Sequence, residues 1–166
     1  MKNKNILFFL IALVVTGTVI NSCKKEEDSK NIKPLFTNGS WQLSSVMVFN
    51  YVGSNGEKTD TLSTTCGSSQ LFTFNSNGTC TYTNFNCQST PHSGNWSLSD
   101  DGLVMFSNII LDSIPGGKNN QPFTYSKIIN IGNYSMVLQT GDVATYFTAT
   151  TKRKIVQFGF IHIAAK

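Results

Sequence analysis

The chain is poor in charge and in the residues that usually carry catalysis or bind metals. Charged residues make up 13% of its 166 residues, with two histidines, His92 and His162, and one arginine. No Cys-x-x-Cys occurs and neither histidine has a partner at metal spacing, which argues against a metal site or cofactor. No basic stripe with interleaved aromatics occurs either, which argues against nucleic acid as a partner. The longest apolar run, 6–15, is too short to span a membrane.

The N-terminus has the pattern of a secretory signal. Two lysines precede the apolar run, and Thr16, Gly17 and Thr18 loosen its end. Residues 19–23 (VINSC) resemble the lipobox of bacterial lipoproteins, in which a small residue precedes a cysteine. The resemblance implies cleavage after Ser22 and acyl chains, such as palmitate, on Cys23. We therefore expect a signal peptide over 1–22 and an outer-membrane lipoprotein of the cell envelope.

The segment behind Cys23 is dense in charge. Residues 24–34 hold a single aliphatic side chain, Ile32, so the sequence predicts a solvated flexible tether over 23–34. Residues 25–28 (KEED) resemble the surface-export tag of Bacteroidota lipoproteins, which implies exposure at the cell surface. An ordinary soluble linker is the alternative.

Residues 35–166 have the length of one domain with a proper core. The two lysines of the signal leave with it, so the net charge falls from +4 to +2. Near-neutral charge with abundant Ser, Thr, Asn and Gly is typical of secreted β-rich proteins.

Three cysteines remain once Cys23 carries lipid. Outside the cytoplasm disulfides are permitted, and an odd count leaves one thiol over. Cys66 and Cys87 lie in polar, turn-like sequence and are the better pair, whereas the alternation around Cys80 places it on the same strand face as Tyr82. We predict a Cys66–Cys87 disulfide and a buried, free Cys80 that faces the interior.

Short runs in which apolar residues alternate with Ser and Thr fill the domain, and no window gives a convincing amphipathic helix. Turn signals that suit positive φ separate them, such as Asn77-Gly78 and Asp101-Gly102. This pattern predicts an all-β fold, an antiparallel barrel or sandwich. The predicted strands are 40–49, 71–75, 79–84, 94–98, 103–108, 123–131, 135–140, 144–150 and 154–163, with 57–64 as a further candidate.

A Gly-x-Trp motif begins the first predicted strand, at Gly39-Ser40-Trp41, and recurs at Gly94-Asn95-Trp96. The first copy resembles the signature of lipocalins, in which the tryptophan closes one barrel end beneath an arginine from the last strand. The resemblance implies a single lipocalin-like barrel of eight to ten strands over 35–166. It also implies that Arg153 lies over the ring of Trp41, whereas an exposed arginine in a basic turn is the alternative.

The rest of the chain is similar to the lipocalin-like domains of Bacteroidota lipoproteins over about residues 35–150. The similar stretches are Cys66, 71–79, Cys87 and 94–102. The tail, 152–166, departs from classical lipocalins, because it has the pattern of a strand where they place a helix.

No catalytic set is recognisable, so we expect a protein that is not an enzyme. Asp100 and Asp101 resemble a carboxylate pair, but they precede Gly102 in a predicted hairpin turn, where solvated turn residues are the simpler interpretation. His92 follows a proline in a polar loop, and His162 alternates with phenylalanines.

Two functions remain open. The first is binding of a small apolar or aromatic ligand inside the barrel, for which the predicted inward residues are Phe72, Phe74, Tyr82, Trp96, Phe106, Phe123 and Tyr125. The second is a cell-surface accessory or interaction protein that acts through its exterior or loops, with the barrel filled. Segment 154–163 favours the second, because it is apolar on both strand faces and needs a cover on each, inside the domain or from a protein partner.

Overall fold

The computed structural model describes residues 28–62, 65–111, 121–143 and 146–163. One helix, α1 (Asp28–Thr37), precedes nine antiparallel strands, and a short 3-10 turn (Phe85–Cys87) follows the fourth strand. The strands are β1 (Ser40–Val52), β2 (Asn55–Leu62), β3 (Leu71–Phe74), β4 (Thr79–Thr83), β5 (His92–Leu98), β6 (Val104–Ser107), β7 (Ser126–Ile131), β8 (Ser135–Gly141) and β9 (Lys152–Ile163).

The long first strand closes the sheet into a barrel. β9 pairs with β1 over its whole length, from Ser40 opposite Ile163 to Val52 opposite Lys152. The start of β1 pairs with β3, and the strands then follow in chain order from β3 to β9. Eight strands therefore form a closed barrel, while β2 is an extra strand on the second half of β1. The predicted all-β barrel is confirmed.

Alternation along each strand fills the interior. In β3 the buried residues are Phe72 and Phe74, and in β4 they are Cys80 and Tyr82, and they alternate with half-buried Leu or Thr. A strand directs successive side chains to opposite faces, so this period-2 pattern places one set in the core. Most of the buried apolar residues belong to one cluster.

The flexible tether was predicted over 23–34, but residues 28–34 lie within helix α1. Phe36 is fully buried in the barrel core, and Ile32, one helical turn earlier, is half-buried against the same cluster. Side chains at i and i+4 share a helix face, so the pair gives the segment an apolar side that packs on the barrel. The composition of 24–34 concealed this, because Phe36 lies beyond the predicted end of the tether.

The tail completes the barrel as β9, so the predicted strand at 154–163 is confirmed and begins two residues earlier. The predicted strand at 144–150 is not formed over its described part, since residues 146–151 are turn and irregular backbone. The threonines of this segment form local hydrogen bonds instead. For example, the Thr148 backbone N–H donates to Thr151 Oγ1 at 2.9 Å.

The predicted disulfide between Cys66 and Cys87 is confirmed, with 5.1 Å between the two Cα atoms. It joins the loop before β3 to the 3-10 turn after β4. Asn84, Asn86 and Cys87 in that turn all have positive φ, a conformation that non-glycine residues adopt at a cost. The disulfide, together with the Asn84 side-chain amide donating to Ser69 O at 2.8 Å, holds the turn in place.

Candidate functional site

The barrel interior, the predicted ligand site, is packed with aromatic rings. Phe72 lies 4.1 Å from Phe74 and 5.0 Å from Phe123, measured between ring centroids, and Phe123 lies 5.0 Å from Phe158. These separations are those of aromatic pairs in direct contact. Five of the seven predicted lining residues are buried here: Phe72, Phe74, Tyr82, Trp96 and Phe123.

The prediction that Phe106 and Tyr125 line the interior is wrong, because neither side chain points into the barrel. In β6 the buried residues are Met105 and Ser107, so Phe106 between them faces outward and is 37% exposed. Tyr125 precedes the buried Ser126 and is 49% exposed. The two rings contact each other edge to face on the outside, 5.8 Å apart. Both side chains were predicted to point inward because they are aromatic. The alternation along the strand, however, decides which side chains face the interior.

Two buried hydroxyls have no hydrogen-bond partner among the described residues, Tyr82 Oη and Ser126 Oγ. Both residues are fully buried, and burial raises the pKa of the Tyr82 phenol well above its usual value. The Cys80 thiol, in contrast, lies 3.4 Å from Ser107 Oγ. An unpaired buried hydroxyl is costly, which sets these two groups apart from the other buried polar side chains, such as Ser107.

Phe36 of α1 and both tryptophans close one end of the barrel. Trp41 Nε1 donates to the carbonyl oxygen of Phe36 at 3.0 Å, and the Phe36 ring lies 5.3 Å from that of Trp96. Gly39 joins helix to strand with φ of 114°, which only glycine adopts readily. Trp41 therefore closes a barrel end as predicted. Phe36 was missed, although its spacing from Ile32 was a usable signal.

The predicted contact of Arg153 with Trp41 is wrong. Arg153 is the second residue of β9 and lies opposite Tyr51, whereas Trp41 lies opposite His162. Ten residues of strand separate the two positions, about 30 Å. The prediction placed Arg153 just after a late strand, 144–150, but Arg153 lies near the start of β9, and the start of an antiparallel strand lies beside the end of its neighbour. The ring over Trp41 is that of His162, 5.0 Å away, whose Nε2 contacts the carbonyl oxygen of Asn38.

Arg153 lies instead between two aromatic rings near the other end of β1. Its guanidinium carbon is 3.7 Å from the ring centroid of Phe147 and 4.9 Å from that of Tyr51, and Nη2 donates to Gly53 O at 3.1 Å. Such stacking stabilises by about 0.5–2 kcal/mol. An open cleft of about 960 Å³ adjoins it, with Glu57 and Asp142 as acids and Lys152, Arg153 and Lys154 as bases.

The remaining candidates for chemistry do not converge. No group of three His, Cys, Asp or Glu in the described segments could hold a metal ion. Asp101 lies in the predicted turn, where hydrogen bonds from the Ser99 hydroxyl and the Leu103 backbone N–H lower the pKa of its carboxyl group. Its side chain is thus engaged in turn structure.

The outer face of β9 remains partly open. Phe158 and Phe160 are buried in the core, as predicted for one face, while Ile161 and Ile163 on the other face are 44% and 41% exposed. Ile155 on that outer face is buried. The strand is therefore covered inside the domain on one face and incompletely on the other.

Cys23 and the signal peptide lie outside the described residues, so lipidation stays a prediction. No helix in the described ranges is long and apolar enough to cross a membrane.

The fold is that of a small, closed, antiparallel β-barrel with an aromatic interior. A lipocalin-like domain model matches residues 37–153, so the chain belongs to the lipocalin-like domain family. The match ends at the second residue of β9, although the strand continues to Ile163. A comparison with curated proteins found no significant match.

Proposed function

We propose that this protein is a lipid-anchored lipoprotein of the cell envelope that acts through the exterior of a filled lipocalin-like barrel. The observation that carries the proposal is the chain of ring contacts across the interior, from Phe74 through Phe72 and Phe123 to Phe158. An eight-stranded barrel is just wide enough to be filled by side chains or to hold one small ligand. Here large rings occupy the space that a ligand would need.

The outside of the barrel has open surfaces that a ligand or a protein could contact. The cleft beside Arg153, the half-exposed isoleucines of β9 and a groove beside Phe106 all face outward. With Cys23 as the anchor, such a barrel would present these surfaces to solutes or proteins at the membrane. Its role would be accessory binding without catalysis.

A second candidate is binding of a small apolar ligand within the barrel. The buried hydroxyls of Tyr82 and Ser126 favour it, because a ligand atom could provide the hydrogen bonds that the described residues do not. The ligand would need to displace part of the aromatic packing.

The substitution Tyr82→Phe distinguishes the two candidates. In a filled barrel it removes an unpaired hydroxyl, so the free energy of unfolding should stay unchanged or rise by about 1 kcal/mol. The unmodified protein should show no saturable binding of a fluorescent fatty acid. Binding at a one-to-one ratio that Tyr82→Phe weakens would contradict the filled barrel and support the second candidate. Tyr134→Phe, which removes the hydroxyl of a residue that is 85% exposed in the β7–β8 turn, is the control for a hydroxyl removed outside the barrel.

A further inference from the structure

A groove of about 390 Å³ lies on the outside of the barrel, between the β5–β6 pair and the segment that leads into β7. Its volume is within the range of small-molecule sites. Phe106 forms one side, and five neutral side chains that can donate or accept hydrogen bonds line the rest: Asn95, Ser97, Asn108, Gln121 and Thr124.

The aromatic wall of the groove is the ring of Phe106. This ring is exposed on the outer sheet face and contacts Tyr125 edge to face, 5.8 Å apart. On the same face, Phe106 lies opposite Ser97 of β5. A flat apolar ring thus stands directly beside hydroxyl and amide groups.

The hydrogen-bonding wall is partly pre-organised. Asn108 Oδ1 accepts the backbone N–H of Asn95 at 2.7 Å, which directs the donor Nδ2 of Asn108 away from that bond. Thr124 Oγ1 donates to the carbonyl oxygen of Gln121 at 2.9 Å, so this hydroxyl retains acceptor capacity. The groove therefore offers both donors and acceptors in fixed positions.

The side chains that line the groove indicate which class of ligand it can bind. None of the eight described residues that line the groove is charged, so an ionic ligand would lose hydration without gaining an opposite charge from them. A lipid chain would cover the Asn108 Nδ2 donor and the remaining acceptor capacity of Thr124 without offering either a hydrogen bond. A neutral sugar ring has an apolar C–H face for Phe106 and hydroxyls for the amides. We propose that this groove binds a neutral saccharide, an inference that rests on the proposed exterior role.

The test uses the full-length chain purified from an expressing bacterium in a polyoxyethylene detergent, which contains no sugar. It is applied to an array of neutral and acidic oligosaccharides, and the neutral oligosaccharide with the strongest signal is then titrated in solution. We expect neutral oligosaccharides to bind, and Phe106→Ala to weaken the binding about tenfold or more, because the apolar contact is lost. Asn108→Asp should weaken it too, since it retains the acceptor for Asn95 but loses the donor.

One variant serves as the matched control. Tyr134→Ala removes an aromatic residue that is 85% exposed in the β7–β8 turn, and should leave binding unchanged. Thermal unfolding of each variant separates loss of the site from loss of the fold.

The proposal is overturned if no oligosaccharide binds, if only acidic ones bind, or if binding persists in Phe106→Ala. Each of these results would leave the filled barrel intact as an explanation of the interior. Conversely, one-to-one binding of a fatty acid that Tyr82→Phe weakens would contradict the exterior role while leaving the Phe106 groove to be judged on its own variants.

Discussion

The burial and the reactivity of the Cys80 thiol depend on the strand face that the residue occupies. Its thiol is fully buried, and burial raises the pKa of the thiol, an effect larger than the opposing one of the hydrogen bond with Ser107. Because the thiolate is the nucleophile, the native protein should react very slowly with iodoacetamide at pH 8. Denaturant without reductant should release one reactive thiol in the soluble domain that follows Cys23, since Cys66 and Cys87 are bonded. Mass spectrometry of the labelled protein measures both, with Cys80→Ser as the control that shows none.

Arg153 provides a second test at the scale of the residue. Arg153→Lys should lower the free energy of unfolding by about 1 kcal/mol, because lysine lacks the flat guanidinium that stacks on Phe147. Chemical denaturation measures the loss. Lys152→Arg, at the exposed neighbouring position, should change the value by less than about 0.5 kcal/mol. A loss no larger than that of the control would mean that the stacked arrangement contributes nothing.

Helix α1 is the element whose role the sequence pattern concealed. Phe36→Ala should destabilise the protein by about 3–5 kcal/mol, because it removes a fully buried ring that packs on Phe74 and Trp96 at the barrel end. Chemical denaturation monitored by tryptophan fluorescence measures this loss. Asn38→Ala, at an exposed position just after the helix, should cost less than about 0.5 kcal/mol. Equal small effects of both variants would show that α1 does not plug the barrel.

The strands themselves were largely predictable, because period-2 alternation and turn chemistry act locally. Gly78, Gly102 and Gly141 adopt the positive φ that their turn sequences predicted. The pattern failed at 144–150, where threonines bond to nearby backbone instead of entering the sheet, and at Phe106, where aromatic character was taken for inward direction. Local sequence specifies that a strand alternates, while neighbouring strands decide which face is inside.

At the scale of the whole molecule, the proposed lipid on Cys23 would limit the distance between the barrel and the membrane. α1 begins at Asp28, five residues after Cys23, so even a fully extended connection reaches no more than about 18 Å. If Cys23 carries lipid as we propose, the barrel stays close to the membrane. Any partner of its exterior must then lie within that distance of the bilayer plus the length of the barrel itself, which is about 30 Å or more along β1.

Cys23→Ser should block lipidation and cleavage, because the thioether to lipid forms before the signal peptidase acts. Cells expressing the variant should contain an uncleaved precursor without labelled palmitate, whereas the unmodified chain should be shorter and labelled. Gel migration and acyl labelling measure the two properties. Ser22→Ala retains a small residue before the cysteine and should be processed normally. Acylation of the Cys23→Ser variant would refute the lipobox interpretation.

The amino-acid sequence by itself determined the all-β class, most strand positions, the disulfide and the buried thiol, because alternation, turn residues and cysteine count are local or countable properties. It also indicated the family, through Gly-x-Trp. Only the tertiary structure decided that aromatic rings contact one another across the barrel interior, that Phe36 packs at one barrel end, and that His162 rather than Arg153 lies beside Trp41. These depend on antiparallel register, which fixes the residues that face each other across a sheet and is set by the pairing of distant segments.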